Sequence, residues 1–169
     1  MNPRHAARAM ALQVLYEVDL GRHQPGVVLS RHFVETPELA DDLRLFASEL
    51  VSGVTKSLEM LDERIGACAP DFPVNTLAAV DRNVLRLALF ELERGDVPIK
   101  VTVNEAVELA KEFGGDATPR FINGVLASAI VRYHSDADTG AAVAPAESVS
   151  NVVSDVSDVL NRDQASSLE

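Results

Sequence analysis

A chain of 169 residues, 47% of them hydrophobic, is long enough for one globular domain plus an extension, and its formal charge of -11 comes from 15 Lys and Arg against 26 Asp and Glu. A single cysteine excludes an internal disulfide or a cysteine-rich zinc site and fits a reducing compartment such as the cytoplasm. No apolar run approaches the ~20 residues of a membrane span, the first residues lack the apolar stretch of a secretory signal, and on charge alone the chain is a poor match to nucleic acid.

The first 133 residues read almost entirely as helix. Helix one is predicted from about Arg4 to Leu20, with Ala7, Met10, Ala11, Val14, Leu15 and Val18 on one stripe and Gly21 as the stop. A short helix follows Pro25. Thr36-Pro37 then has the form of an N-cap with proline at the first helical position. Behind it, Leu39, Leu43, Phe46, Ala47, Leu50, Val51 and Val54 repeat at spacings of three and four, and the pattern resumes in Leu58, Leu61 and Ile65 to about Cys68. Gly53 marks a kink or break in that run. Pro70 and Pro73 bracket a loop, the expected seam between two helical halves.

From Val80 to Leu92 the residues are apolar around most of the helical circumference, which predicts a helix in the middle of a bundle. Thr102-Val-Asn-Glu105 has the spacing of a capping box, and Ala106, Leu109, Ala110 and Phe113 form the stripe behind it. Thr118-Pro119 repeats the cap-plus-proline start, and the last helix turns Ile122, Val125, Leu126, Ala129 and Ile130 inward. No alternating strand pattern competes. The expected fold is all-α, a helical bundle of two three-helix halves over residues 1–133.

Residues 134–169 differ in kind. They hold seven acids against Arg162 alone, a net of -6, which leaves -5 for residues 1–133. This composition predicts a largely disordered acidic tail. Within it, Val149, Val152, Val153, Val156, Val159 and Leu160 keep helical spacing, a short amphipathic helix at 148–162 that would fold only against a surface. The tail is either a solubilising extension or an electrostatic inhibitor that folds over a basic patch.

The residues offer little for catalysis or metal binding. His5, His23, His32 and His134 lack metal-ligand spacing. Cys68 has no basic neighbours to activate it and reads as a small, semi-buried apolar residue. Glu105, Glu108 and Glu112 share a helical face with Lys111 interleaved, the pattern of a solvated face. Asp81 in the first turn of the central helix complements the helix dipole. No cofactor is expected. A binding surface remains: Arg4, His5 and Arg8 gather on one side of the first helix, and Arg120 and Phe121 open the last one. A cation beside an aromatic ring suits single-stranded RNA, although Phe121 also fits a core position.

Four stretches together resemble one family, the NusB transcription antitermination factors. They are the run from Ala7 to Tyr16, Ala78-Ala-Val-Asp-Arg-Asn-Val-Leu-Arg-Leu-Ala-Leu-Phe-Glu-Leu92, Val101-Thr-Val-Asn-Glu-Ala-Val-Glu-Leu-Ala-Lys-Glu-Phe113, and Phe121-Ile-Asn-Gly-Val-Leu126. The resemblance spans nearly all of residues 1–133 and excludes the tail. It implies a non-enzymatic protein that binds the boxA element of nascent RNA together with NusE, a small-subunit ribosomal protein. The complex would load onto elongating RNA polymerase in the cytoplasm, chiefly on ribosomal RNA operons. By position, Arg4, His5 and Arg8 fall in the family's arginine-rich RNA-binding segment, Arg120 and Phe121 in its second RNA region, and Tyr16 and Asp81 near the NusE interface. Asp81 thereby gains a second reading, as an anionic contact for a basic partner.

The sequence departs from the family at its first helix, where Ala6, Ala7 and Ala9 thin the basic run. Fewer phosphate contacts imply weaker, less salt-sensitive RNA binding by the chain alone, and hence a strong dependence on NusE. The alternative is a helical protein-interaction module without RNA binding. A homodimer that masks the RNA face is a further form the resemblance allows.

Overall fold

The computed structural model describes residues 2–135, and among them the chain forms seven α-helices and no strand. They are α1 (Pro3–Gly21), α2 (Pro25–Glu35), α3 (Asp41–Lys56), α4 (Leu58–Cys68), α5 (Ala79–Arg94), α6 (Ile99–Phe113) and α7 (Thr118–Tyr133), with a 3-10 turn at Val74–Thr76 before α5. All of the proposed tail after residue 135, with its amphipathic segment at 148–162, lies outside the described residues. None of the described helices is long and apolar enough to cross a membrane.

The helices fall into a group of three, α1–α3, and a group of four, α4–α7, with α5 packed against α1 and α3 as well as α4, α6 and α7. The apolar girth of α5 explains this central place: Val84, Leu85, Leu87, Ala88 and Leu89 are all buried. The division differs from two halves of three because the run from Leu39 to Cys68 breaks at Ser57, where α3 ends and α4 begins. α4 packs on α5 and α7, so the Pro70–Pro73 loop lies inside the second group and is not the seam.

α1 starts where the Asn2 side chain accepts a hydrogen bond from the Arg4 amide and Pro3 occupies the first turn. At its end the left-handed turn falls on Arg22, with φ 54°, one residue beyond Gly21. Three local expectations gave way to tertiary or competing local contacts. Thr36 does not start a helix: its amide and hydroxyl both donate to the carbonyl of His32, closing α2, and the chain turns before α3 starts at Asp41. Arg44 reaches back to the carbonyls of Thr36, Pro37 and Leu39, filling that turn. The Thr102–Glu105 capping box is absent because α6 starts at Ile99, behind Pro98 at the N-cap position and three residues before Thr102; Thr102 is buried inside the helix and Glu105 faces α1. Thr118 is the first residue of α7 and caps nothing; its hydroxyl accepts from the Gly115 amide and donates to Asp81, tying α7 to α5.

Gly53 neither kinks nor ends α3. A Cβ there would lie 1.9 Å from Cζ of Phe90, so glycine is what lets α3 approach the ring from α5. Gly53→Ala is expected to cost about 1–3 kcal/mol by overpacking, read from the urea midpoint, and Phe90→Leu in the same chain to recover part of the loss. A neutral Gly53→Ala would show that the contact is slack.

Candidate nucleic-acid and partner interface

The first turns of α1 pass between α3 and α6, and this sorts the three basic residues by depth. Arg4 is exposed, with its guanidinium 5.0 Å from the centre of the Phe46 ring and no carboxylate within ion-pair distance among the described residues. His5 is mostly covered. Its Nδ1 lies 2.8 Å from Glu105 Oε2 and its Nε2 3.1 Å from Glu112 Oε2. Burial alone would lower its pKa, but the hydrogen bonds and charges of Glu112 and Glu105 outweigh it and raise the imidazole above its ordinary value.

Arg8 is a different case from its position in the sequence. Only 2% exposed, it gives Nε and Nη2 to the Glu91 carboxylate at 2.8 to 3.1 Å, with Nη1 3.5 Å from Glu105. It is therefore withdrawn from the surface proposed for RNA. Positions 4 and 8 share a helix side, but one turn further along α1 is covered by α5, whose Glu91 is itself 4% exposed. The same contacts correct the reading of Glu105 as solvated: of the three acids on that face, only Glu108 pairs outward, with Lys111 at 2.8 Å.

At the start of α7, Arg120 is exposed and Phe121 is half-buried, its ring edge-on to Phe72 at 5.6 Å between centroids. Phe121 thus packs at the margin of the core. α6 links this region to the first: Glu112, which holds His5, stands next to the end of α6, and residues 114–117 lead directly to Thr118.

On another side of α1, an open groove of about 680 Å³ is lined by Leu12, Tyr16, Leu20, His32, Val80 and Phe113, among others. Tyr16 is 41% exposed at this groove. Asp81 follows Val80 in the first turn of α5, as the helix-dipole reading requires, and accepts the Thr118 hydroxyl at 2.9 Å. Burial raises its pKa, and the Thr118 hydrogen bond offsets only part of that.

The sequence reading missed a polar cluster between α1, α5 and α4. Asp19 Oδ2 accepts from Arg82 Nε and Asn83 Nδ2, both at 2.8 Å, and lies 3.3 Å from Arg86 Nη1. Arg86 forks onto Asp62 at 2.7 and 2.8 Å, which joins α1, α5 and α4. Burial works against the Asp19 charge, but the Asn83 and Arg82 hydrogen bonds and the Arg86 and Arg82 charges hold its pKa below the ordinary value. The available signal was Arg82, Asn83, Arg86 and Glu91 on a helix too apolar to face water, since polar groups there need partners.

Comparison with known proteins gives a consistent family. The NusB family model matches residues 5–131. The transcription antitermination protein NusB of Dehalococcoides mccartyi strain 195 is 50% identical over 126 residues, covering 74% of this chain and 87% of that protein. Among solved structures, T. maritima NusB superposes with a TM-score of 0.70 at 32% identity, over 76% of this chain and 91% of that one. A structure of antitermination factors NusB and NusE in complex with double-stranded RNA gives 0.72 at 28% identity, over 79% of this chain and 99% of the other.

Proposed function

The chain belongs to the NusB family of transcription antitermination proteins, which are not enzymes, and from that premise we propose that it binds boxA-type RNA jointly with NusE. The observation that carries this reading is the shared fold with a NusB solved together with NusE and RNA. Two features of the chain support it. Arg4 and Arg120 are exposed cations at the starts of α1 and α7, where helix N-termini also favour phosphate. The groove beside Tyr16 and Val80, with Asp81 next to it, offers an apolar floor and an acid to a basic protein such as NusE.

In this division of labour, RNA contacts come from Arg4, His5, Arg120 and the exposed edge of Phe121, while Tyr16 and Asp81 receive NusE. Arg8 supports the surface from below. The assembly then acts on elongating RNA polymerase in the cytoplasm, chiefly on ribosomal RNA operons, and a homodimer is an RNA-free form of the chain. With so few accessible cations, the protein alone has a small electrostatic affinity, and NusE supplies much of the rest.

The test is a gel-shift titration of boxA RNA with and without NusE. NusE is expected to raise the affinity at least tenfold, and Arg4→Glu with Arg120→Glu to abolish the RNA shift while NusE is still captured. Equal RNA affinity with and without NusE would count against joint binding. RNA binding unaffected by both charge reversals would remove these residues from the interface.

A further inference from the structure

His5 is held by two carboxylates that differ in how firmly they are themselves held. An imidazole can meet an acceptor at each nitrogen only when both carry protons, so the pair of contacts at 2.8 and 3.1 Å describes an imidazolium donating twice. Glu105 has a side chain only 15% exposed and also lies 3.5 Å from Arg8, which anchors it in the α1–α6 seam. Glu112 is 43% exposed, and its one ion pair among the described residues is with His5. Its other neighbours on the α6 face are already matched, because Glu108 pairs with Lys111.

The surroundings complete the balance. His5 and Arg8 on α1 are paired with Glu91 from α5 and with Glu105 and Glu112 from α6; Glu108 is close enough to His5 for their charges to interact, and Arg4 lies over the Phe46 ring of α3, in a pocket also lined by Asp42, Glu49, Arg94 and Asp96. Two of the three basic residues predicted to hold RNA are thus already engaged by the chain's own acids. An anion arriving from solvent meets His5 at Nε2, where the resident acceptor is the exposed one, and Arg4 stands one residue away.

We propose that Glu112 is a built-in competitor for the RNA backbone: a phosphate oxygen replaces its carboxylate at His5 Nε2 while Glu105 keeps Nδ1, so that the charge on Glu112 limits how tightly the N-terminal turn binds RNA. This rests on the RNA-binding reading above and adds a regulating residue to it. Exchange of one charge-assisted hydrogen bond for another yields little net affinity, so His5 contributes weakly until its intramolecular partner is removed. Glu105 acts as a positioning residue, fixing the ring for either acceptor.

The experiment titrates fluorescein-labelled single-stranded boxA RNA with the full chain and saturating NusE, by anisotropy over a series of salt concentrations. Glu112→Gln keeps an acceptor of the same shape and removes the charge. It is expected to bind several-fold more tightly, with the slope of log K against log salt steeper by about 0.7, the value of one added phosphate contact on a single strand. Glu108→Gln removes the same charge one turn away from Glu112, from a carboxylate hydrogen-bonded to Lys111 and not to His5, and is expected to change affinity less than about twofold, since exposed charges there are screened. Adding His5→Gln to Glu112→Gln should erase the gain. Unchanged or weaker binding by Glu112→Gln, an equal gain from Glu108→Gln, or a gain that survives loss of His5 would each overturn the proposal while leaving RNA binding by the wild-type chain intact. Failure of every protein to bind the RNA would overturn both the proposal and the functional reading beneath it.

Discussion

Arg8→Met is expected to destabilise the fold by about 3–5 kcal/mol, because removal of one member of a buried ion pair strands the other charge without water. Glu91 is 4% exposed and takes both of its strong hydrogen bonds from Arg8. Urea unfolding followed by circular dichroism reads the loss as a lower midpoint at unchanged slope. The double variant Arg8→Met with Glu91→Leu should recover most of the stability, since hydrophobic residues of similar volume commonly replace a buried pair at little cost. These outcomes separate the two roles open to an arginine in this segment. A stable Arg8→Met protein with weakened RNA binding would return Arg8 to the RNA surface and contradict the observed pairing.

The second large effect lies in the cluster that joins α1, α5 and α4. Asp19→Ala is expected to cost on the order of 3 kcal/mol, the lower end of the range for a broken buried pair, because Arg86 retains Asp62 and Asn83 retains the carbonyl of Ala79. Its pH dependence follows from the depressed pKa of Asp19. The stabilisation is fully present above the unfolded value of about 3.9 and is lost as pH falls through the lower, folded one. Asp19→Asn imitates the protonated carboxyl, so the stability gap between wild type and Asp19→Asn should close progressively below about pH 4. A gap that persists unchanged to pH 2 would assign the effect to packing rather than charge.

These two clusters also explain where the sequence was readable and where it was not. Helix positions follow from periodicity because every helix in a bundle buries one stripe, so Ala7, Met10, Ala11, Val14 and Leu15, or Ile122, Val125, Leu126 and Ala129, are found inside as their spacing requires. Termini were less legible. Thr36 and Thr118 each precede a plausible helix, but their hydroxyls bond the His32 carbonyl and the Asp81 carboxylate instead of capping one, and Thr102 is buried within α6. Gly53 invites a kink in one dimension; in three, it makes room for Phe90.

The candidate site shows the same division more sharply. Tyr16, Arg4 and Arg120 are exposed, as the roles proposed for them require. Depth was not written in the spacing. Arg4 and Arg8 are equivalent on a helical wheel, yet one faces solvent and the other is sealed against Glu91, because a wheel records direction around one axis and not which neighbours cover it. Likewise Glu105 and Glu112 looked like solvated acids, and only the approach of α1 to α6 makes them the partners of His5.

By itself, then, the sequence determined the family and the all-helical fold of the described residues, since periodicity and motif order are properties of the chain alone. Tertiary structure decided which charges remain available to a partner. Burial and pairing depend on residues 83 to 107 positions apart, and a net charge cannot report whether an arginine is already engaged.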